Sequence, residues 1–381
     1  MNILIAPDSY KGSLSALEVA STIKDAFRQV IDDCVIEAVP MADGGEGTLE
    51  ALIYSTKGKT MSVTVTDQLG DPILTEYGIL GDNETVVIEI AKVVGLPLLP
   101  QERRNPLCAT TYGIGEMMIH AIEQGYRKFI IGLGGSATNE GGIGLLQAVG
   151  VSFFDEKGSP VPPTAAYLEK IKTVDYGTID PRIYDCQIVI ASDVENELCG
   201  KKGASYVYGP QKGVREEQID FYDSALYHYG TFIDEHLHTS YKSTPGSGAA
   251  GGLGFSLLTL GASIYSGAEM IAEKTRLLDK MANADWVITG EGKSDFQTLY
   301  GKVPHYIGRH ANRLGVNALL LSGSLGENID PVYNDFVSCH SITRGPGSLD
   351  DCMEKAKTYL YQTSVDIAKL MKACTYYRKP V

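Results

Sequence analysis

Four glycine-rich loops hold the residues best suited to chemistry: Met41-Ala-Asp-Gly-Gly-Glu-Gly-Thr48, Gly132-Leu-Gly-Gly-Ser-Ala-Thr-Asn139, Pro245-Gly-Ser-Gly-Ala-Ala-Gly-Gly252 and Gly290-Glu-Gly-Lys-Ser-Asp295. Glycine lets successive backbone N–H groups turn toward an anion. Three of the loops also carry or adjoin an acid, and carboxylates beside a phosphate cradle imply a cation shared with the phosphate. The third loop has no acid and follows a polar turn. Together they point to phosphate and Mg²⁺ chemistry on a small molecule.

These loops must be held by regular elements, and the apolar pattern supplies them. Strands are expected at Asn2–Ile5, Cys34–Val39, Met61–Thr66, Glu84–Ala91, Lys128–Leu133, Val151–Phe154, Gln187–Ala191, Trp286–Thr289, Ala318–Ser322 and Phe336–Ile342. Ser15-Ala-Leu-Glu18 reads as a capping box that opens a helix with Val19, Ile23, Ala26, Phe27 and Val30 on its buried stripe. A last helix is expected from about Leu349 to Ala373. The alternation defines an α/β protein. Asp8, Asp43, Gly134, Asp193, Glu291 and Gly323 all fall at or just past the carboxyl end of an apolar run, where open α/β sheets bind ligands. The run from Met61 has a more antiparallel rhythm, and the βαβ pattern resumes near Trp286. The expected organisation is a discontinuous Rossmann-like domain of residues 1–60 plus 285–381. A mixed α/β domain of residues 61–284 is inserted in it, with the active-site cleft between the two.

Composition narrows the class. Gly makes up 42 of 381 residues, above the usual share of about 7 per cent, and the excess sits in discrete loops. The formal net charge is −14, which argues against nucleic acid or an anionic membrane as partner. Any phosphate site must then be built locally, from amides, a few lysines and a metal. Seven cysteines without CxxC spacing fit reduced thiols and give no zinc signature. The apolar start at Met1 has no basic segment before it, and no run approaches the roughly 18 apolar residues of a membrane span, so a cytoplasmic protein is expected.

One of these loops admits a rival reading. Gly132-Leu-Gly134-Gly-Ser-Ala137 imitates a dinucleotide fingerprint, with Asp155 at ribose-binding distance along the chain, which keeps an NAD-dependent dehydrogenase as an alternative. Against it, the would-be helix Ser136–Val149 carries Gly141, Gly142 and Gly144 in its middle. The string GxxxxGK[ST] is absent, and so is GxSxG. Gly209-Pro-Gln-Lys-Gly213 places an amine on a tight turn, so Lys212 and, by similar reasoning, Lys11 are candidates for meeting a phosphate or a carboxylate.

Taken in order, the motifs closely resemble the type 1 glycerate kinases. The matching strings are Ala6-Pro-Asp-Ser-Tyr-Lys-Gly-Ser-Leu-Ser15, Pro40-Met-Ala-Asp-Gly-Gly-Glu-Gly-Thr48, Arg104-Asn-Pro106 with Thr110-Thr-Tyr-Gly-Ile-Gly115, Gly132 to Asn139, Ala191-Ser-Asp-Val194, Gly209 to Gly213, Gly246 to Gly252, and Gly290-Glu-Gly292 with Asp295, Gln297, Thr298 and Gly301-Lys302. They span almost the whole chain. Departures are Tyr10 for the usual Phe, Glu140 for Asp, Glu197 for Pro, Lys293 for Arg, and the His305 region in place of small residues. The resemblance implies two α/β domains and transfer of the ATP γ-phosphate to D-glycerate, with 2-phosphoglycerate favoured as product.

On that footing, amides around Gly134, Gly135, Ser136, Ala137, Thr138 and Asn139, and around Gly246, Ser247, Gly248 and Gly251, are expected to cradle ATP. Asp193, Glu291 and Asp295 are the expected catalytic acids, with Asp193 and Glu291 as the Mg²⁺ candidates. Asp8, Lys11, Asp43, Glu46, Gln211 and Lys212 are expected to bind glycerate. A non-catalytic nucleotide or sugar-phosphate regulator is the alternative from another class; it would need the amides without the clustered carboxylates.

Overall fold

Pairing of short apolar strands organises the chain into two sheets, seen in a computed structural model that describes residues 1–299 and 301–376. The first sheet has the spatial order Ser338–Ser341, Asn317–Ser322, Trp286–Thr289, Asn2–Ile5, Val35–Ala38, and every pairing in it is parallel. Numbered along the chain this order is 5-4-3-1-2, so the strand order reverses between Asn2–Ile5 and Trp286–Thr289. A reversal of this kind opens a crevice at the strands' carboxyl ends.

The helix Ala16–Val30 covers this sheet because its start and its face are both encoded. Glu18 N–H donates to Ser15 Oγ at 3.2 Å and Ser15 N–H donates to Glu18 Oε2 at 2.9 Å, the expected capping box. Val19, Ile23 and Phe27 are fully buried and share a core with Ile3, Ile5, Leu319 and Leu321. The C-terminal segment forms two helices, Leu349–Glu354 and Ala356–Tyr376, rather than one; Leu360, Ile367, Ala368 and Met371 join the same core.

The second sheet runs Ser263–Tyr265, Gln187–Ala191, Lys128–Gly132, Thr85–Glu89, Pro72–Ile79, Lys59–Thr66. Its first four strands are parallel and its last two form an antiparallel hairpin. Pro72–Ile79 was not among the expected strands; it opens with proline, tolerated at a strand's first residue, and lies between Thr85–Glu89 and Lys59–Thr66. The hairpin turn is fixed by Asp67, whose Oδ1 accepts from the amides of Leu69 and Asp71.

The chain divides into two units. One comprises Met1–Asp43, Glu50–Thr56 and the chain from Ala268 onward; the other comprises Gly44–Leu49 and Lys57–Gly267. Among the described residues no helix is long and apolar enough to cross a membrane.

Candidate active site

In the first unit, the crevice at the strand reversal is a cavity of about 770 Å³ lined by Asp8, Lys11, Asp43, Glu291, Lys293, Asp295 and Lys302. The loops that supply these residues are tied at the sheet's edge: Asp8 N–H donates to Gly290 O at 2.9 Å, and Gly323 N–H to Glu291 O at 3.0 Å. Five of the expected residues, Asp8, Lys11, Asp43, Glu291 and Asp295, thus meet in one cavity. Lys293 and Lys302 belong there too, although neither was among the expected site residues.

The acids differ in what they touch. Glu291 Oε1 accepts from Ser294 Oγ at 3.0 Å and Thr298 Oγ1 at 2.7 Å, and its Oε2 lies 3.2 Å from Lys302 Nζ. Both its oxygens are therefore engaged. Asp295 Oδ1 accepts from the Gln297 amide at 2.9 Å, and its Oδ2 lies 3.4 Å from Lys293 Nζ. Lys11 Nζ is 3.4 Å from Asp43 Oδ2, and Asp43 raises the ammonium's affinity for its proton. Asp8 is buried, and burial together with the nearby Asp43 carboxylate pushes its carboxyl up to about 8. Two of the departures from the family pattern are explained here. Tyr10 buries its ring and donates its hydroxyl to Leu321 O at 2.5 Å, so the extra oxygen is satisfied. His305 does not line the cavity; its Nδ1 lies 2.8 Å from Asp335 Oδ2.

In the second unit, the segments at the carboxyl ends of Lys128–Gly132 and Gln187–Ala191 converge with Gly44–Leu49. Gly134 N–H donates to Gly44 O at 3.1 Å. A methyl group on Gly134 would sit 2.3 Å from Gly45 Cα, so only glycine allows this approach. Gly134→Ala is expected to destabilise the protein by about 1–3 kcal/mol through overpacking, measured as a lower denaturant midpoint.

Not every amide of the Gly134–Asn139 loop faces outward. Those of Gly134 and Ala137 are used internally, the latter on Val94 O at 2.7 Å. Gly135 is exposed, with φ +76°, and its N–H has no protein acceptor among the described residues. Thr138 Oγ1 and Asn139 Oδ1 are buried without a partner, an unusual state for polar atoms. Lys212 is buried beneath the loop, donating to Ser136 Oγ at 2.9 Å and to Thr138 O at 2.7 Å. Burial lowers its ammonium to about 7, with Glu140 opposing the shift. Gln211 is exposed, and its carbonyl accepts from Arg104 Nη1 at 3.1 Å.

The loop Gly246–Gly252 packs against the same region. Gly141 N–H donates to Gly251 O at 2.9 Å, and a methyl on Gly251 would meet Thr138 O at 2.1 Å. Gly246, Ser247, Gly248 and Gly251 are buried, and Gly248 N–H is used on Asn196 O at 2.9 Å. Their glycines allow close packing, Gly251 against Thr138 and Asn139, Gly246 against Val194 and Ile264, and Gly248 against Asn196 and Glu197. Asp193 is exposed at the end of its strand, its Oδ1 accepting from Gly267 N–H at 3.1 Å. Glu46 is exposed on its own loop.

Two buried carboxylates escaped the sequence reading as anchors. Glu140 accepts from Thr111 N at 2.8 Å, from Thr111 Oγ1 at 2.5 Å and from Gly142 N, although burial still raises its proton affinity. Glu89 accepts from Leu49 N at 3.0 Å. Their only sequence signal is an acid inside or beside an apolar run.

The dinucleotide reading fails on topology. Ser152–Phe154 pairs antiparallel with Thr173–Asp175 in a separate two-stranded sheet, so Asp155 does not end a strand beside Lys128–Gly132. Asp155 Oδ1 instead accepts from the amides of Lys157 and Ser159. The helix that reading would need over Ser136–Val149 is confined to Ile143–Ala148, because Gly141 and Gly142 take φ of +73° and +77°.

Known proteins share this arrangement. The model of the glycerate kinase family matches residues 3–372. A glycerate kinase of Halalkalibacterium halodurans is 41% identical over 368 residues, covering 96% of this chain and 97% of its own. A glycerate kinase of Bacillus subtilis is 40% identical over 98% of both chains, and the glycerate 2-kinase of Escherichia coli is 41% identical over 97% of both. A solved structure from Salmonella typhimurium LT2 superposes with a TM-score of 0.87 at 40% identity, covering 99% of each chain. With the acid-and-lysine cavity at the strand reversal and the glycine loops at the second sheet's carboxyl edge, these matches establish that the chain is an enzyme of the glycerate kinase family.

Proposed function

We propose that this enzyme transfers the γ-phosphate of ATP to D-glycerate, as a type 1 member of its family, and that the product is 2-phosphoglycerate. The observation that carries the reading is the cavity in which Asp8, Asp43, Glu291 and Asp295 stand among Lys11, Lys293 and Lys302. A hydroxy acid needs a cation for its carboxylate and acceptors for its hydroxyls, and both are present there. Lys11 is the cation best exposed for the carboxylate, and Asp43 and Asp8 flank it as hydroxyl partners. The name of the Escherichia coli relative supports the 2-position.

Phosphoryl transfer asks the protein for positioning and charge compensation. The exposed Gly135 amide, a donor without a protein acceptor among the described residues, supports the Gly134–Asn139 loop as the phosphate cradle. Among the described residues no cluster of three or more metal-binding side chains occurs. Mg²⁺ brought by a nucleotide needs only one or two protein carboxylates, so the residues present fit it. Asp193, exposed just past the carboxyl end of Gln187–Ala191, suits that role. When bound, Mg²⁺ would neutralise the phosphate oxygens. Glu291 and Asp295 hold Lys302 and Lys293 in the cavity, which keeps those cations oriented.

ADP release tests the proposal directly. D-glycerate is expected to support turnover, with rates near background for glycerol, for L-glycerate and after EDTA. Equal turnover of glycerol would refute carboxylate recognition. ¹³C NMR of the product separates the two phosphoglycerates, and the 3-isomer would overturn the assigned position.

A further inference from the structure

Four carboxylates face the cavity of the first unit, and three are matched to cations. Glu291 lies against Lys302 at 3.2 Å, Asp295 against Lys293 at 3.4 Å and Asp43 against Lys11 at 3.4 Å. Asp8 is the exception. Its Oδ1 accepts from the Ser9 amide at 2.6 Å, and among the described residues no lysine, arginine or histidine nitrogen forms an ion pair with it. It is 8% exposed, enough for one edge to reach the cavity. It stands at the strand reversal, on the loop leaving Asn2–Ile5, where the sheet's geometry focuses ligands.

We propose that Asp8 is the catalytic base of the transfer. This rests on the kinase reading above and goes beyond it. Asp8 Oδ2 takes the proton of the acceptor hydroxyl as that oxygen forms its bond to the γ-phosphorus. The bond from the γ-phosphorus to the β,γ-bridging oxygen breaks, and its electron pair leaves with ADP. The proton stays on Asp8 until product departs, then passes to solvent.

The surroundings suit a proton shuttle. Asp43 on the loop after Val35–Ala38 and Glu291 on the loop after Trp286–Thr289 both oppose ionisation of Asp8, while Lys11 on its own loop favours it. Asp295, Lys293, Lys302 and Cys352 line the cavity further off, and the Tyr10 hydroxyl is turned away toward Leu321 O. Burial is the largest influence, and the carboxyl is pushed up to about 8. A base whose proton affinity lies near ambient pH works best, and removing one typically costs about 10²–10⁴ in rate.

The test compares the parent with Asp8→Asn and Asp8→Glu. In the parent, kcat/KM for D-glycerate is expected to rise with pH toward about 8, following the Asp8 ionisation. Asp8→Asn is expected to lower kcat by about 100-fold or more and to abolish the rise; Asp8→Glu should keep the rise and part of the rate. Melting supplies a readout independent of turnover. The unfolded carboxyl ionises near about 3.9 and the folded one near about 8, so between these the unfolded chain binds fewer protons. Parent stability therefore falls as pH rises through that window, and the Tm advantage of Asp8→Asn should grow across it. If Asp8→Asn keeps more than a tenth of kcat, or keeps the alkaline rise in an active enzyme, the base role is overturned and the kinase reading stands. If the parent phosphorylates no glycerate, the kinase reading falls and the base role with it.

Discussion

Asp193→Asn is expected to lower kcat by about 100-fold or more while leaving the protein folded. The carboxylate projects from the end of Gln187–Ala191 and is exposed, so the substitution disturbs no core packing. The Gly267 N–H bond to Oδ1 survives, because an amide oxygen also accepts. What is lost is a formal negative charge beside the proposed phosphate cradle. A metal held by one or two carboxylates depends steeply on each of them. The Mg²⁺ concentration giving half-maximal rate should therefore rise together with the fall in kcat. Titrating Mg²⁺ in an ADP-release assay measures both. A loss below about tenfold would shift the role to Asp295 or Glu291.

Lys212→Met is expected to lower kcat/KM for ATP by roughly 10- to 100-fold with little net change in stability near pH 7. Two effects oppose each other in the folded protein. Removing the amine leaves Ser136 Oγ and Thr138 O without their donors, at a cost of about 1–3 kcal/mol. It also removes an ammonium buried without a carboxylate in ion-pair range among the described residues, and relief of that burial is of similar size. The loop keeps its fold but loses the tie that fixes Ser136 and Thr138, and misplacement by about 1 Å can cost 10²-fold in rate. The pH dependence has a defined sign. The folded amine titrates near about 7 and the unfolded one near 10.5, so between them the unfolded chain binds more protons. Parent stability rises across that window, and the parent should gain Tm relative to Lys212→Met from about pH 7 to pH 10. An unchanged kcat/KM for ATP would show that the tie is dispensable.

The assignment of Lys212 shows where sequence reasoning and structure part. On the chain it is a lysine on a tight turn beside acids and glycines, a pattern that reads as a cation presented to substrate. In the fold it is turned inward, with two short bonds to a loop more than 70 residues earlier. Nothing local distinguishes the two states, because direction depends on which segment packs over the turn. Glu291 is similar. Its position at a strand's carboxyl end was legible, but its engagement by Ser294, Thr298 and Lys302 depends on how the following turn closes back.

The sequence by itself determined the parts whose physics is local. Alternating apolar runs define the strands, Ser15 and Glu18 start their helix at the right residue, and acids and glycines fall at the carboxyl ends of strands. These follow from side-chain periodicity and from backbone groups that need partners within a few residues. The tertiary structure alone decided which strands are neighbours, and with that the reversal between Asn2–Ile5 and Trp286–Thr289 that opens the cavity. It also decided that Gly251 reaches the backbone of Thr138, and that Asp8, among the described residues, is the cavity acid in no ion pair. The reason is common to all three: proximity between segments a hundred or more residues apart, and the burial it causes, are properties of packing, which no window along the chain contains.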